Sequence, residues 1–139
     1  MDNLTLEYIG GFFDGDGCVT ISKDKIYNHR LKNGWQLSPY IVFSQRKKYI
    51  LERVRNTLKS YNIGSHLQSQ SNGRIYALRI TGMKRCRKFC KIFINHTTIK
   101  REQLKVMLEF TNYRLSQSGR KEYTKQDLEY YEKLKKLKI

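Results

Sequence analysis

Apolar residues first recur at helical spacing. Leu6, Ile9, Gly10 and Phe13 share one face and predict a helix from about Thr5 to Phe13, stopped by a turn at Asp14-Gly15-Asp16-Gly17. The period then drops to two. Val19 and Ile21 oppose Cys18, Thr20 and Ser22, and Leu37, Pro39, Ile41 and Phe43 oppose Gln36, Ser38, Tyr40, Val42 and Ser44. Two strands of a hairpin are predicted, joined by a long, polar, basic connection from Lys23 to Trp35. Pro39 lacks an N–H and favours an edge strand or a bulge.

Ile50, Val54, Leu58 and Tyr61 return to the helical period. His66 to Gln70 and Ile75 to Thr81 predict a second strand pair around Asn72-Gly73, a tight-turn signal. A third helix is expected from about Lys84 to Ile94. A fourth, capped by Thr97 or Thr98, carries Leu104, Met107, Leu108, Thr111 and Leu115. A basic helix from about Thr124 to Lys138 follows Ser116-Gln117-Ser118-Gly119. The order α-β-β-α-β-β-α-α-α implies an α+β fold, an antiparallel sheet backed by helices, in one domain over 1–139.

Charge changes what the polar face of that sheet is for. The chain has 28 Lys and Arg against 12 Asp and Glu, a formal charge of +16, so a polyanion is the first partner to expect and the open face should lie on nucleic acid. No apolar run approaches the ~18–20 residues that span a bilayer, and no signal-peptide pattern opens the chain. The final helix has too narrow an apolar stripe (Leu128, Tyr131, Leu134) for a membrane-surface helix. Three cysteines, an odd number, argue against a disulfide scaffold. Cys86 and Cys90 fall on one apolar stripe with Phe89 and Phe93, which favours core packing over a zinc site with His96.

The chemistry is concentrated in Tyr8-Ile9-Gly10-Gly11-Phe12-Phe13-Asp14-Gly15-Asp16-Gly17. Gly10 and Gly11 each weaken a helix by about 1 kcal/mol relative to alanine, which makes sense where another backbone comes close. Asp14 and Asp16 then place carboxylates at a helix C-terminus, against the macrodipole. A positive group belongs there, and oxygen ligands suit Mg2+.

This segment resembles the LAGLIDADG motif of homing endonucleases, in the single-motif subgroup. Gln36 to Gln45 is similar to that family's second strand, and Ile99-Lys100-Arg101-Glu102-Gln103-Leu104 to its later lysine-bearing motif. The likeness spans roughly residues 4–115. Gly10 stands for the motif's alanine and Phe12-Phe13 for its small aliphatic pair. The resemblance implies the αββαββα fold, a saddle-shaped sheet and extra C-terminal helices. It implies a homodimer that meets through the motif helix, at Ile9, Gly10, Phe12, Phe13 and Asp14. Asp16 and the Gly15 carbonyl would hold Mg2+ or Mn2+, Asp14 being more structural than catalytic. Gln45, Lys100 and Lys47 or Lys48 would border the pocket. The implied reaction is a double-strand break with 3′ overhangs in a long pseudopalindromic target.

A β-ribbon fits the major groove. An eight-residue strand spans about 26 Å, roughly 8 base pairs per subunit, giving a target of about 20 base pairs. The expected readers on the strands are Thr20, Ser22, Gln36, Ser38, Tyr40, His66, Gln68, Gln70 and Arg79. Lys23, Lys25, Asn28, His29, Arg30, Lys32, Asn72 and Arg74 are expected in loops and turns. His29, His66 and His96 suit surface or DNA contact. An RNA-splicing maturase or a non-catalytic DNA-binding protein of the same fold is the alternative; the first would replace the metal carboxylate, and the second would not need Asp16 beside Gln45 and Lys100. No small-molecule substrate is expected. The expected location is intracellular, with organelle, virus and prokaryotic cytoplasm open.

Overall fold

The computed structural model describes residues 3–25, 34–117 and 122–138. Asn28, His29, Arg30 and Lys32 lie outside the described residues. The elements are α1 (Leu6–Asp16), β1 (Gly17–Lys25), β2 (Trp35–Gln45), α2 (Lys48–Ser60), β3 (His66–Gln70), β4 (Ile75–Thr81), α3 (Met83–Phe93), α4 (Arg101–Ser116) and α5 (Lys125–Leu137), with a 3-10 turn at Ser71–Gly73. The four strands form one antiparallel sheet in the order β1-β2-β4-β3.

Register sorts the side chains. Val19 faces Ile41, and Phe43, Leu67 and Leu78 align across three strands. This face joins Ile9 and Phe13 of α1, Leu51, Val54 and Leu58 of α2, Phe89 and Phe93 of α3, and Leu104, Met107 and Phe110 of α4 in one core. Phe13 sits 5.0 Å from Phe43 and 5.2 Å from Phe89, ring centre to ring centre, so aromatic packing joins the motif helix to the sheet.

Several expectations are corrected. The first helix does not stop at Phe13. It runs through Asp16, and the N–H of Gly17 bonds the Phe13 carbonyl, so helix passes into strand without an intervening turn. Gly17 is required by space: a Cβ there would collide with Phe13. Neither Thr97 nor Thr98 caps the fourth helix. Thr97 Oγ1 donates to the Phe93 carbonyl, Lys100 is the N-cap residue, and α4 starts at Arg101. The β3–β4 turn is broader than a two-residue hairpin, with Ser71, Asn72 and Gly73 all at positive φ. Pro39 lies in an inner strand, but β4 pairs with β2 only from Tyr40 to Gln45, so at Pro39 that strand has a neighbour on one side alone. Lys23 and Lys25 belong to β1 rather than to the connection, on the face opposite the expected readers, and Lys23 Nζ sits 4.9 Å over the Trp35 ring.

The last helix is tied down by polar contacts. Thr124 and Asp127 form a capping box, and the buried Asp127 accepts from Arg114 Nη1 of α4 at 3.2 Å. Tyr123 Oη donates to the Leu37 carbonyl at 3.1 Å.

Candidate functional site

The motif helix has two unlike sides. Ile9 and Phe13 are fully buried, and a Cβ on Gly10 would collide with the His96 carbonyl oxygen. The close backbone that Gly10 requires is therefore the chain's own. Gly11 and Gly15 face open space. Tyr8 is 51% exposed, and Phe12 is half-buried with its ring 5.5 Å from that of Phe43. Ile9, Gly10 and Phe13 are thus removed from the expected intermolecular face, because the monomer's core already consumes them. The open face is formed by Tyr8, Gly11, Phe12 and Gly15, at helical spacing, a stripe concealed in the sequence by the buried residues alternating with it.

The two acidic residues at the end of α1 also differ. Asp14 Oδ2 accepts the Thr98 N–H at 2.8 Å and Oδ1 accepts the Lys100 N–H at 3.0 Å. Lys100 Nζ donates to the Asp14 carbonyl at 2.7 Å. That ammonium supplies the positive group which a helix C-terminus without basic residues of its own invites. Asp14 is thus occupied within the chain. Asp16 is exposed, and Gln45 Nε2 donates to its Oδ2 at 3.3 Å. The Gln45 Oε1 is held in turn by the N–H groups of Arg46 at 2.8 Å and Lys47 at 3.4 Å.

Asp16, Gln45 and Lys47 line one cleft of about 540 Å³ with Glu7, Tyr8, Gly11, Phe12, Tyr49 and Ile50. The structure separates Lys47 from Lys48, whose Nζ lies 5.8 Å from the Tyr76 ring centre beside a neighbouring groove. Lys100 does not line the cleft; it is docked on α1 two residues before Asp16. His96 is half-buried beneath Gly10, with Nδ1 3.7 Å from Glu7 Oε1, which places it away from the sheet surface.

From this cleft the sheet's second face runs outward. Register places Thr20, Ser22, Gln36, Ser38, Tyr40, His66, Gln68, Gln70 and Arg79 together on it. Arg79 stacks on Tyr40, 4.6 Å to the ring centre, and lies opposite His66. Asn72 and Arg74 are exposed at the turn beyond. Sequence reasoning did not find Lys138, whose Nζ reaches Thr20 Oγ1 at 2.8 Å and Cys18 Sγ at 3.5 Å. Only the run of lysines at the end of α5 hints at it.

Burial pushes the Cys86 thiol up to about 12, and Cys90 is raised by burial and then by Cys86. Both are inert core thiols. Among the described residues no group of three His, Cys, Asp or Glu side chains could hold a metal, and no helix is long and apolar enough to cross a membrane.

A sequence model of the LAGLIDADG endonucleases matches residues 9–125. A probable intron-encoded endonuclease, Cox1-I1b, of Schizosaccharomyces pombe is 39% identical over 74 residues, which is 52% of this chain and 18% of that relative. The chain therefore spans under a fifth of that relative's length. The homing endonuclease I-CvuI in complex with its target superposes with a TM-score of 0.68 at 17% identity, covering 96% of this chain and 94% of that one. I-TnaI, also a homing endonuclease, gives 0.70 at 23%, covering 98% and 97%. I-SmaMI bound to cleaved DNA gives 0.76 at 19%, covering 96% of this chain and 43% of that one. The last comparison matches this fold to less than half of a longer chain. The family model covers well over half of the sequence, including most of the motif helix, the whole sheet and α4: the chain belongs to the LAGLIDADG endonuclease family.

Proposed function

We propose that the chain is a site-specific homing endonuclease, acting as a homodimer that cuts both strands of a pseudopalindromic DNA of about 20 base pairs and leaves 3′ overhangs. One observation carries the reading. The Asp16 carboxylate, oriented by Gln45, stands exposed at the end of α1, where an open glycine side and an outward polar sheet face meet.

The donors suit a hard divalent cation. Each chain offers the exposed Asp16 carboxylate and the Gly15 carbonyl, Glu7 brings a second exposed carboxylate to the same cleft, and the cleft has no sulfur or imidazole ligand. Mg2+ takes one or two carboxylates plus substrate phosphate and keeps several waters. Such an ion, when bound, lowers the pKa of the attacking water and neutralises the leaving oxygen. The chain's own residues do the rest. Gln45 fixes the carboxylate and is fixed by the start of α2. Lys47 brings positive charge to the cleft. Lys100 lies about half a helix turn back, on Asp14, released for the scissile phosphate if it leaves the Asp14 carbonyl. A second copy brought against Tyr8, Gly11, Phe12 and Gly15 would place two Asp16 residues side by side, one for each DNA strand. The homing endonuclease I-CvuI has been crystallised on DNA targets in the presence of Ca or Mg, which supports a divalent ion here.

The test is cleavage of a randomised duplex pool in Mg2+ or Mn2+, with sequencing of the cut ends. Ends that cluster on one two-fold symmetric sequence are expected. Retained DNA binding without any cut in either ion would leave a non-catalytic DNA-binding protein.

A further inference from the structure

α3 is the one described α-helix without an acidic residue. It carries Lys84, Arg85, Arg87, Lys88 and Lys91. At 3.6 residues per turn, Lys84, Arg87, Lys88 and Lys91 fall within an arc of about 100°, whose centre lies about 160° from that of Cys86, Phe89, Cys90 and Phe93. Those four pack under the sheet's core face. The cationic arc therefore points away from the sheet, on the side of the domain opposite the reading face. Lys84, Lys88 and Lys91 are exposed, and Lys88 Nζ donates to the Asn62 carbonyl at 3.2 Å. None of the four pairs with a carboxylate among the described residues.

This arrangement works against the helix. Like charges at i,i+3 and i,i+4 repel, and cations in the first turn oppose the macrodipole. A polyanion on this face would relieve both. DNA on the reading face cannot, because the core stands between. We propose that the outer face of α3 is a second, sequence-independent nucleic-acid surface, which takes the phosphate backbone of a second DNA duplex while the sheet holds the first. The inference rests on the reading of the sheet as a DNA-binding face.

The arc's chemistry selects that partner. It has no amide to read base edges and no aromatic ring to stack on an unpaired base. It contains no apolar residue of the kind a membrane-surface helix inserts. Lys84 to Lys91 spans about 10 Å, three phosphate steps along a strand. Such a protein passes directly from one duplex to another, because the second is held before the first is released.

The experiment is a dissociation measurement on the whole chain without divalent metal. A fluorescent duplex is bound, then chased with increasing unlabelled mixed-sequence duplex. The dissociation rate is expected to rise in proportion to competitor concentration. Four phosphate contacts give a log–log salt slope of about −3.6, so that dependence should weaken about 150-fold between 50 and 200 mM salt. In K84Q/R87Q/K88Q/K91Q the rate should be independent of competitor, while affinity for the first duplex changes little. A wild-type rate independent of competitor overturns the proposal without reference to any variant. So does a folded quadruple variant that keeps the dependence, or a duplex RNA that drives release more strongly than DNA at equal phosphate. Cleavage plays no part in the readout, so a protein that cuts nothing is distinguished from one whose α3 holds nothing. Loss of the first duplex in Arg79→Gln reports separately on the sheet.

Discussion

Asp14 and Lys100 hold each other reciprocally: the Asp14 carboxylate accepts the main-chain N–H of Lys100 at 3.0 Å, and the Lys100 ammonium returns to the Asp14 carbonyl at 2.7 Å. The segment before α4 is thereby fixed to the end of the motif helix. Asp14→Ala should destabilise the fold by about 1–3 kcal/mol, since two N–H groups lose their acceptor. Asp14→Asn keeps one acceptor oxygen and should fall between. Urea unfolding of the two variants checks the order.

Asp16 is expected to behave otherwise, because nothing in the fold leans on it except Gln45. Asp16→Asn should melt near the wild-type temperature, bind DNA at least as tightly and lose cleavage. Lys100→Met should slow cleavage and leave some activity, and Gln45→Ala should be milder. Binding and cleavage measured on the same duplex separate these outcomes. Cutting by Asp16→Asn at a near wild-type rate would place the ion elsewhere.

The neighbouring glycines should give opposite results. Gly10→Ala drives a methyl group into the His96 carbonyl and should destabilise by about 1–3 kcal/mol or more. Gly11→Ala meets nothing within the chain and should stabilise the monomer by up to about 1 kcal/mol. Gly11→Leu should leave monomers in sedimentation if that face is where two copies meet. A wild-type chain that stays monomeric at micromolar concentration with DNA present would refute the dimer.

Arg114 is the charged partner of a carboxylate that is fully buried at Asp127. Arg114→Met should cost about 3–5 kcal/mol, because it leaves that charge without its counter-ion. Chemical denaturation measures it, and the far-UV signal of α5 should be lost first.

The raised thiols predict alkaline behaviour. Cys86 goes from an ordinary 9.0 to about 12 in the folded chain. Above pH 9 the unfolded chain gives up this proton while the folded chain keeps it, so the thiol's contribution to stability falls as pH rises from about 9 to about 12. The limiting slope is about 1.4 kcal/mol per pH unit for each such thiol. Cys86→Ala should show a shallower decline than wild type in urea unfolding between pH 8 and 10.

The sequence was most legible where local chemistry and tertiary demand agree. His66–Gln70 and Ile75–Thr81 follow from alternation on either side of an Asn-Gly pair. It was least legible where distant partners decide. Thr97 and Thr98 have capping side chains, but Asp14, more than eighty residues away, binds the Thr98 N–H and sets the start of α4 at Arg101. Gly10 signals a close backbone without naming it as that of His96. Asp14 and Asp16 look alike in local chemistry; the family resemblance separates their roles, and the fold supplies the reason, binding the Asp14 carboxylate to two N–H groups and leaving Asp16 exposed. Asp16 and Gln45 meet because β1 returns through β2 to the end of α1, a closure that no local periodicity records.

The outermost position of β1 has a further consequence. An uncovered outer strand is a template on which foreign strands can extend a sheet. Here α5 packs against β1. Thr20 and Ile21, residues of opposite faces of that strand, line one groove with Tyr131, Leu134 and Lys135 of the helix, and Lys138 just beyond it reaches Thr20 and Cys18. The helix thus guards the sheet's flank against unwanted association. A chain cut before Thr124 should still form the motif helix and core strands, yet self-associate through β1 into thioflavin-binding assemblies, so α5 serves solubility even where it never touches a substrate.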